Sequence, residues 1–276
     1  MNDQKLDDII RLALEEDLGY GDLSSAMFPD DHHAAGLFTA KAGGVLAGLP
    51  VISRAYRLLD ERVRVDLYKN DGDTVESGDE IAEAEGPTAS LLQGERVILN
   101  MLQHLSGIAT QTRRAVNALD STTTKVCDTR KTLPGLRMLQ KYAVRCGGGY
   151  NHRYRLDDGV MIKDNHIRAV GSIEKAVKRV RENAGPMIRI EVETETREQV
   201  REAVKAGADI IMFDNRTPGE VRDFVALIPD YVITEVSGGI TPETIGGYRE
   251  TGIDFISMGA LTHSVEALDI SFNLIH

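Results

Sequence analysis

Positive charge is concentrated in one stretch of this acidic chain, between Lys125 and Arg168. That stretch holds ten Lys and Arg against four Asp, a net charge of +6, whereas the whole chain carries −11 and the remainder therefore −17. The cations Arg130, Lys131 and Arg153 lie in turn-rich sequence and not on a helical stripe. A guanidinium on a fixed loop can grip a carboxylate or a phosphate with two parallel hydrogen bonds. The segment is therefore expected to bind a small, multiply charged anion.

Two carboxylates follow neighbouring strand-like runs further along the chain. Glu193 ends the run IRIEVE, and Asp214 ends the run IIMFD. Such a pair at the ends of adjacent strands can hold Mg²⁺ or sugar hydroxyls, because both are bound by hard oxygen ligands. Either carboxylate alone could instead cap the following helix. Two of them opposite a cationic segment favour the functional interpretation.

Small residues follow the next strand-like runs. Ser237, Gly238 and Gly239 come directly after VITEV, and Gly259 ends FISMG. Adjacent glycines at the start of a helix expose backbone N–H groups that can bind phosphate. In α/β barrels the last two strand ends commonly hold a phosphate group. The pattern therefore predicts a phosphate site here.

These residues are set in a regular β/α repeat that begins after residue 120. Strand-like runs end near Asp128, Lys163, Glu193, Asp214, Ser237 and Gly259. Amphipathic helices are predicted between them at 172–183, 196–207, 217–228 and 241–252. Alternation at this period is typical of a parallel sheet, and six or seven units favour a barrel. Catalytic residues of such barrels lie at the carboxyl ends of the strands.

The first part of the chain has a different organisation. A helix is predicted over 6–16, short strands with tight turns over about 34–90, and a long helix over 91–119 that carries Arg96 in its first turns. The strand-rich stretch is typical of a separate β-rich domain. The barrel repeat then follows it.

Composition excludes several classes of function. The net charge of −11 disfavours nucleic-acid binding. No apolar run approaches the ~20 residues of a membrane span, and the N-terminus has no signal-peptide core. Two cysteines, Cys127 and Cys146, with no CxxC pair indicate neither a disulfide framework nor a zinc site. A location in the reducing cytoplasm is expected.

Several long motifs follow one another in a fixed order along nearly the whole chain. The most specific run, DTRKTLPGLRMLQKYAVRCGGGYNHR, begins at Asp128. The others are EDLGYGDLSS, GERVILNMLQHLSGIATQTRR, DGVMIKDNH, IEVE, GADIIMFDN, EVSGGI and ISMGALTHS. Together they resemble the quinolinate phosphoribosyltransferases, the carboxylating nicotinate-nucleotide diphosphorylases.

The resemblance implies an α/β fold with two domains. One is a β-rich α/β sandwich over 1–110, on which the C-terminal tail can pack back. The other is an incomplete, seven-stranded α/β barrel over 111–276. The implied activity transfers phosphoribose from phosphoribosyl diphosphate to quinolinate with decarboxylation. It yields nicotinate mononucleotide, diphosphate and CO₂ in de novo NAD biosynthesis, with Mg²⁺ as cofactor. A homodimer or higher homo-oligomer is also implied.

The resemblance also assigns roles to individual residues. Those expected to contact quinolinate are Arg96, Arg130, His152, Arg153 and Lys163, with Arg96 reaching in from the neighbouring subunit. Thr129 belongs to the same binding motif, and Lys131 would bridge to the phosphoribosyl donor. Glu193 and Asp214 would face the ribose and its Mg²⁺-diphosphate. Phosphate would be held by Ser237, Gly238, Gly239 and Gly259. The residues expected to be catalytic are Lys131, Glu193 and Asp214.

Two positions depart from the family pattern, and three alternative functions stay open. Arg155 stands where glycine is common, and Phe213 replaces an aliphatic residue; neither removes a charge. The substrate could be nicotinate or another aromatic acid. A phosphosugar-binding barrel with other chemistry would fit the repeat alone. The run GDTVESGDEIA resembles a biotinyl or lipoyl carrier turn, but no modifiable lysine occurs between Lys69 and Lys125.

Overall fold

The computed structural model describes residues 2–275, which form two compact units. The first unit comprises residues up to Arg113, the segment Thr132–Gly148 and the residues from Ser264 onward. The second comprises Arg114–Lys131 and Gly149–His263. The domain boundary between residues 110 and 111 stays a prediction.

The secondary structure of residues 2–275 alternates helices and strands along the chain. The strands are β1 (His33–Ala40), β2 (Gly44–Val45), β3 (Arg64–Leu67), β4 (Thr74–Val75), β5 (Glu80–Pro87), β6 (Lys125–Cys127), β7 (Val160–Ile162), β8 (Ile190–Thr194), β9 (Ile210–Asp214), β10 (Ile233–Ser237), β11 (Phe255–Ser257) and β12 (Ile270–Ile275). The helices are α1 (Asp3–Leu18), α2 (Pro50–Leu59), α3 (Thr88–Leu119), α4 (Arg137–Cys146), α5 (Asp164–Val170), α6 (Ile173–Asn183), α7 (Arg197–Ala206), α8 (Pro218–Val225) and α9 (Ala260–His263). Short 3₁₀ turns occupy Ser25–Met27 and Ile245–Tyr248. Within this described part, every helix is too short or too polar to cross a membrane.

An antiparallel sheet in the order β12-β1-β5-β3 forms the centre of the first unit. β12 reaches its place beside β1 through a close approach at Gly36, where a Cβ atom would lie 2.1 Å from the Phe272 ring. Phe272 also packs on Phe38, with ring centroids 4.6 Å apart. The last strand of the chain is thereby fixed to the first one.

The first unit contains a helix that the sequence analysis missed. α2 lies inside the stretch predicted as short strands, and it buries Val51, Ile52, Ala55 and Tyr56 on one face. Their spacing is helical, and Pro50 occupies the first turn, where its missing N–H costs no hydrogen bond. The long helix predicted over 91–119 is confirmed as α3.

A parallel sheet in the order β6-β11-β10-β9-β8-β7 forms the centre of the second unit. The first strand of the repeat, β6, pairs with the last one, β11, as it would in a barrel. β6 and β7 stand at opposite edges of the hydrogen-bonded order, so the barrel is incomplete, as predicted.

The number of strands differs from the seven expected. Six strands are hydrogen-bonded in the described part of this sheet. On the free side of β6, Tyr150 forms a single parallel bridge with Cys127 and no longer ladder. The glycines at 147–149 immediately before it turn the chain, and Gly148 has a φ of +92°. The neighbouring segment is thus a bridge and not a full strand.

Capping residues start the helices between the strands. Thr196 and Thr217 each accept a hydrogen bond from the third helical residue, and that residue's side chain bonds back, which satisfies two free N–H groups. The prediction of a helix over 241–252 is wrong, because only the 3₁₀ turn at Ile245–Tyr248 forms. Gly246 and Gly247 lie inside that turn, and adjacent glycines weaken a longer helix.

Candidate active site

A cavity of about 620 Å³ opens at the carboxyl ends of the second unit's strands. Residues from both edges of the sheet line it, since Lys131 follows β6 and Lys163 follows β7. The sheet is therefore curled around the cavity. The predicted site residues that line it are Thr129, Arg130, Lys131, His152, Arg153, Lys163, Glu193, Asp214, Ser237, Gly238 and Gly239.

The two remaining predicted residues lie elsewhere. Arg96 belongs to the first unit, where it is exposed on α3. Gly259 follows β11, and a Cβ atom there would lie 2.9 Å from Cδ of Lys131. Gly259 therefore leaves room for the side chain of Lys131, which lines the cavity.

Cationic side chains form one wall of the cavity. Arg153 donates through Nη1 to the carbonyl of Gly159 at 2.7 Å, which fixes its guanidinium. Burial, together with the nearby charge of Arg130, lowers the pKa of Arg153, and the Glu191 carboxylate opposes that shift. Among the described residues none accepts a hydrogen bond from the buried Nε of Arg130. A buried donor without a partner is costly, so this guanidinium is set to bind an incoming anion.

The main chain at the end of β6 holds the neighbouring cation in place. The backbone N–H of Lys131 donates to Oγ1 of Thr129 at 3.0 Å. The hydroxyl of Thr262 donates to the Lys131 carbonyl at 2.7 Å. These bonds position the start of the Lys131 side chain and leave its ammonium group available to the cavity.

Carboxylates form the opposite wall. Lys163 Nζ lies 3.4 Å from Oε2 of Glu193, and Asp214 accepts from Nδ2 of Asn215 at 2.8 Å. Burial raises the pKa of Glu193, and repulsion from Asp214 adds to this, whereas Lys163 opposes it. Two partly shielded carboxylates that repel each other suit a divalent cation with hard oxygen ligands. The donor set at this position therefore fits Mg²⁺.

The loop after β10 is a backbone cradle. Gly238 and Gly239 have φ values of +101° and +64°, in the left-handed region that favours glycine. A Cβ atom on Gly238 would lie 2.2 Å from Oδ1 of Asn215, so a larger residue there would force Asn215 or the loop to move. The hydroxyl of Ser237 bonds to the Ser257 carbonyl at 3.3 Å. Consecutive N–H groups in such a turn can bind phosphate oxygens.

A buried acid–histidine group lies at the base of the cavity. His152 Nε2 is 3.1 Å from Oε2 of Glu191 and 3.6 Å from Oε2 of Glu235. Asp128, which is fully buried, accepts from the His152 backbone N–H at 2.9 Å and from Nδ2 of Asn151 at 2.6 Å. Burial raises the pKa of Glu235 to about 7, and the Glu191 charge adds to this.

The sequence analysis missed several residues of this site. The cavity is also lined by Met161, Met212, Asn215, Glu235 and Ser257. The alternation of side chains along a strand could have indicated them, because residues two apart share one face of a strand. Glu191 stands two residues before Glu193, and Glu235 two before Ser237. The predicted strand-end residues therefore mark the face on which the buried acids lie.

The two departures from the family pattern lie outside the cavity lining. Arg155 is exposed, and its backbone N–H donates to Asp158 at 3.1 Å. Phe213 is fully buried and meets Phe224 edge to face, with centroids 5.4 Å apart. The first is a loop residue and the second a core residue.

Known proteins share both the sequence and the fold. The family model for the quinolinate phosphoribosyl transferase N-terminal domain matches residues 22–106, and the C-terminal domain model matches 108–273. A Bacillus subtilis (strain 168) protein named "Probable nicotinate-nucleotide pyrophosphorylase (carboxylating)" is 54% identical over 274 residues, covering 99% of this chain and 95% of the relative. The Mycobacterium leprae nicotinate-nucleotide pyrophosphorylase (carboxylating) is 42% identical over 280 residues, covering 97% and 96%.

A solved structure agrees with this assignment. The crystal structure of NadC from Streptococcus pyogenes is 44% identical, covers 100% of this chain and 99% of its own, and superposes with a TM-score of 0.96. Both family models, the relatives and the architecture lead to one conclusion: the chain belongs to the quinolinate phosphoribosyltransferase family.

Proposed function

We propose that this protein transfers phosphoribose from phosphoribosyl diphosphate to quinolinate and removes the 2-carboxylate. The products are nicotinate mononucleotide, diphosphate and CO₂, in NAD biosynthesis. The activity follows from family membership and from the names of relatives similar over nearly the whole chain. A single structural observation carries it: one cavity holds Arg130 and Arg153 on one wall and Glu193 and Asp214 on the other. These walls suit a dianionic acid and a ribose whose C1 becomes positive.

The cationic wall is assigned to quinolinate. Arg130 and Arg153 bind its carboxylates, and the unpartnered Nε of Arg130 gains an acceptor when the acid binds. His152 at the base of the cavity and Lys163 beside Glu193 complete the quinolinate site. Since the ring nitrogen of quinolinate already has a lone pair, no Ser or Cys nucleophile is needed. The protein's task in this step is to hold that nitrogen in line with C1 of the ribose.

The acidic wall is assigned to the phosphoribosyl donor. As the bond between C1 and the diphosphate breaks, positive charge grows on the ribose, and Glu193 and Asp214 stabilise it. Lys131 neutralises the departing diphosphate, together with Thr129. The 5-phosphate is held by Ser237, Gly238 and Gly239, with Gly259 giving space beside Lys131.

Magnesium is proposed as the cofactor on the basis of this donor set. Glu193 and Asp214 would hold the ion, directly or through water. When bound, Mg²⁺ would supply positive charge against the diphosphate oxygens.

The second step loses the 2-carboxylate as CO₂. The ring nitrogen is now quaternary and positive, so it stabilises the electron pair left on C2. Arg130 and Arg153 keep the 3-carboxylate fixed, which orients the ring while the C–C bond breaks.

Assembly and location are also proposals. We propose a homodimer or higher homo-oligomer in which Arg96 of one subunit enters the site of the other. Arg96 is exposed on α3, as a residue that serves a neighbouring subunit would be. We propose the cytoplasm as the location, since substrate and products are small polar metabolites.

One assay tests the proposed function. The purified protein is mixed with Mg²⁺ and phosphoribosyl diphosphate, with quinolinate or nicotinate added in parallel, and diphosphate and CO₂ are followed. We expect both products with quinolinate and neither with nicotinate. Diphosphate without CO₂, formed from nicotinate, would keep the fold and phosphate site and overturn the substrate. No product with either acid would overturn the activity.

A further inference from the structure

The two acids that approach His152 at the base of the cavity, Glu191 and Glu235, have no chemical role in the scheme above. Glu191 on β8 and Glu235 on β10 are separated by β9, both approach Nε2 of His152, and they are 3% and 5% exposed. Among residues 2–275 nothing donates a hydrogen bond to Oε1 of Glu191, although this atom is buried. Such an acceptor is unfavourable unless a proton or a donor can reach it. Two acids that share one face in a low-dielectric interior favour holding a proton there.

The hydrogen bonds of His152 argue for a proton and against a metal ion. The ligand atoms of His152, Glu191 and Glu235 lie within 4.8 Å of one another, which metal ligation would also permit. However, Nδ1 of His152 accepts the backbone N–H of Arg153 at 2.8 Å. The ring proton is therefore on Nε2, which donates to Glu191. A metal ion could bind Nε2 only if Nε2 lost its proton. Because Nδ1 carries no proton, the ring would then have none.

Glu235 is positioned between the active site and a second cavity. It lines the catalytic cavity, and it also lines a cavity of about 420 Å³ that opens towards the amino ends of the strands. The second cavity is lined by the first residues of β7, β9, β10 and β11, which are Val160, Ile210, Ile233 and Phe255. Protons from solvent can therefore reach Glu235 from the side away from the substrate.

The charges around Glu235 make its protonation sensitive to an incoming anion. Burial raises its pKa most, and the charges of Glu191 and Asp128 act in the same direction. His152 and a hydrogen bond from the Ser257 hydroxyl lower it. Arg153 lines both cavities, as Glu235 does. A dianion bound by Arg153 brings two negative charges into the cavity that Glu235 lines, which favours protonation of Glu235.

We propose that Glu235 takes up a proton when quinolinate binds and delivers this proton to C2 when the 2-carboxylate leaves as CO₂. The inference rests on the proposed function and assigns a catalytic residue to its second step. The C2–carboxylate bond breaks, and its electron pair stays on C2. The pair then takes the proton of the Glu235 carboxyl group, which forms the C2–H bond and leaves a carboxylate. Water in the second cavity protonates Glu235 again.

The first test measures proton uptake on binding. Quinolinate alone is titrated into the protein at about pH 8, where Glu235 is mainly ionised before binding, by calorimetry in buffers of different ionisation enthalpy. Quinolinate is fully ionised there and releases or takes up no proton itself. We expect uptake of up to about one proton per site, and its loss in Glu235→Gln. Equal uptake by the variant would overturn the proposal.

The second test separates the two chemical steps. In a single turnover with Mg²⁺ and phosphoribosyl diphosphate, Glu235→Gln should release diphosphate at nearly the wild-type rate. Formation of nicotinate mononucleotide should fall at least about tenfold, because the C2 carbanion recaptures CO₂ when no proton is at hand. Equal slowing of both products would indicate a structural role and overturn the proposal. Wild-type protein that makes neither product would instead refute the proposed function.

Two further variants should shift the pH range of proton uptake in opposite directions. Glu191→Gln removes a like charge, so the pH range of proton uptake should shift downward. Ser257→Ala removes a hydrogen bond to the carboxylate, so the range should shift upward. Thr234→Ser is the matched control, because Thr234 precedes Glu235 on β10 and bonds to Asp254. We expect the control to leave both the uptake and the rates unchanged; shifts in one common direction would contradict the assignment.

Discussion

At the scale of the residue, the half-buried Arg130, whose Nε is fully buried, is the clearest test of substrate binding. Its Nε has no partner within the described chain, so the protein bears a cost that an anion relieves. A charge-assisted hydrogen bond contributes roughly 1.5–3 kcal/mol, which corresponds to about one to two powers of ten in binding. The guanidinium therefore decides affinity more than stability.

We expect Arg130→Ala to raise the KM for quinolinate by about ten- to a hundredfold while the fold persists. Steady-state kinetics and a thermal melt of the same sample measure both. Arg155→Ala is the matched control, since Arg155 is an exposed arginine outside the cavity lining. Full activity of Arg130→Ala would remove this residue from the site.

The raised pKa of Glu235 also predicts how the stability of the fold depends on pH. Its pKa rises from 4.5 in the unfolded chain to about 7 in the folded one, so between these values the folded state binds the extra proton. Its contribution to stability is thus present below pH 4.5 and is lost as the pH rises through about 7. Melting temperatures at several pH values should show a smaller decline over this range for Glu235→Gln than for wild type. Parallel curves would show that Glu235 is ionised throughout.

At the scale of the element, the loop after β10 depends on the backbone conformation of its two glycines. The left-handed φ of Gly238 and its approach to Asn215 leave no space for a Cβ atom. Gly239 has open space around it, so a methyl group there meets only the conformational penalty. Gly238 is therefore required for both space and conformation, and Gly239 for conformation alone.

We expect Gly238→Ala to raise the KM for phosphoribosyl diphosphate at least about tenfold, because the loop must shift to fit the methyl group. Gly239→Ala should raise it less. Quinolinate binding, measured by calorimetry, should change little in either variant, since the cationic wall is untouched. Equal effects of the two substitutions would contradict the cradle geometry.

Periodicity explains which elements the sequence could predict. The repeat placed Glu193 and Asp214 at strand ends, because alternating β and α patterns depend only on neighbouring residues. It missed Glu191 and Glu235, since a buried charge on the inner face of a strand is stabilised by partners distant in sequence. The prediction of a helix over 241–252 was wrong for a local reason, because the glycine pair at 246–247 weakens a helix there. In the first unit, the sequence analysis missed α2 because the stretch around it is rich in strand-like runs.

At the scale of the whole molecule, an acidic chain surrounds a cationic site. The net charge of −11 repels anions at long range, whereas the cavity attracts them at short range. An anionic substrate therefore gains most of its binding energy only inside the cavity, where partial burial reduces screening by salt. A further cation supplied by another subunit would strengthen that local attraction, which is the role proposed for Arg96.

Subunit mixing tests that role. In a symmetric dimer that completes each site with Arg96 from the partner, Arg96→Ala and Arg130→Ala proteins each have little activity alone when quinolinate is kept well below their raised KM. After they exchange subunits, half of the dimers are mixed, and each mixed dimer has one intact site, so roughly a quarter of wild-type activity should return. Mixtures of Arg130→Ala with Arg153→Ala should stay inactive, because both residues belong to the same subunit's cavity. Failure of the first mixture, with exchange verified by native mass spectrometry, would show that Arg96 serves its own subunit or none.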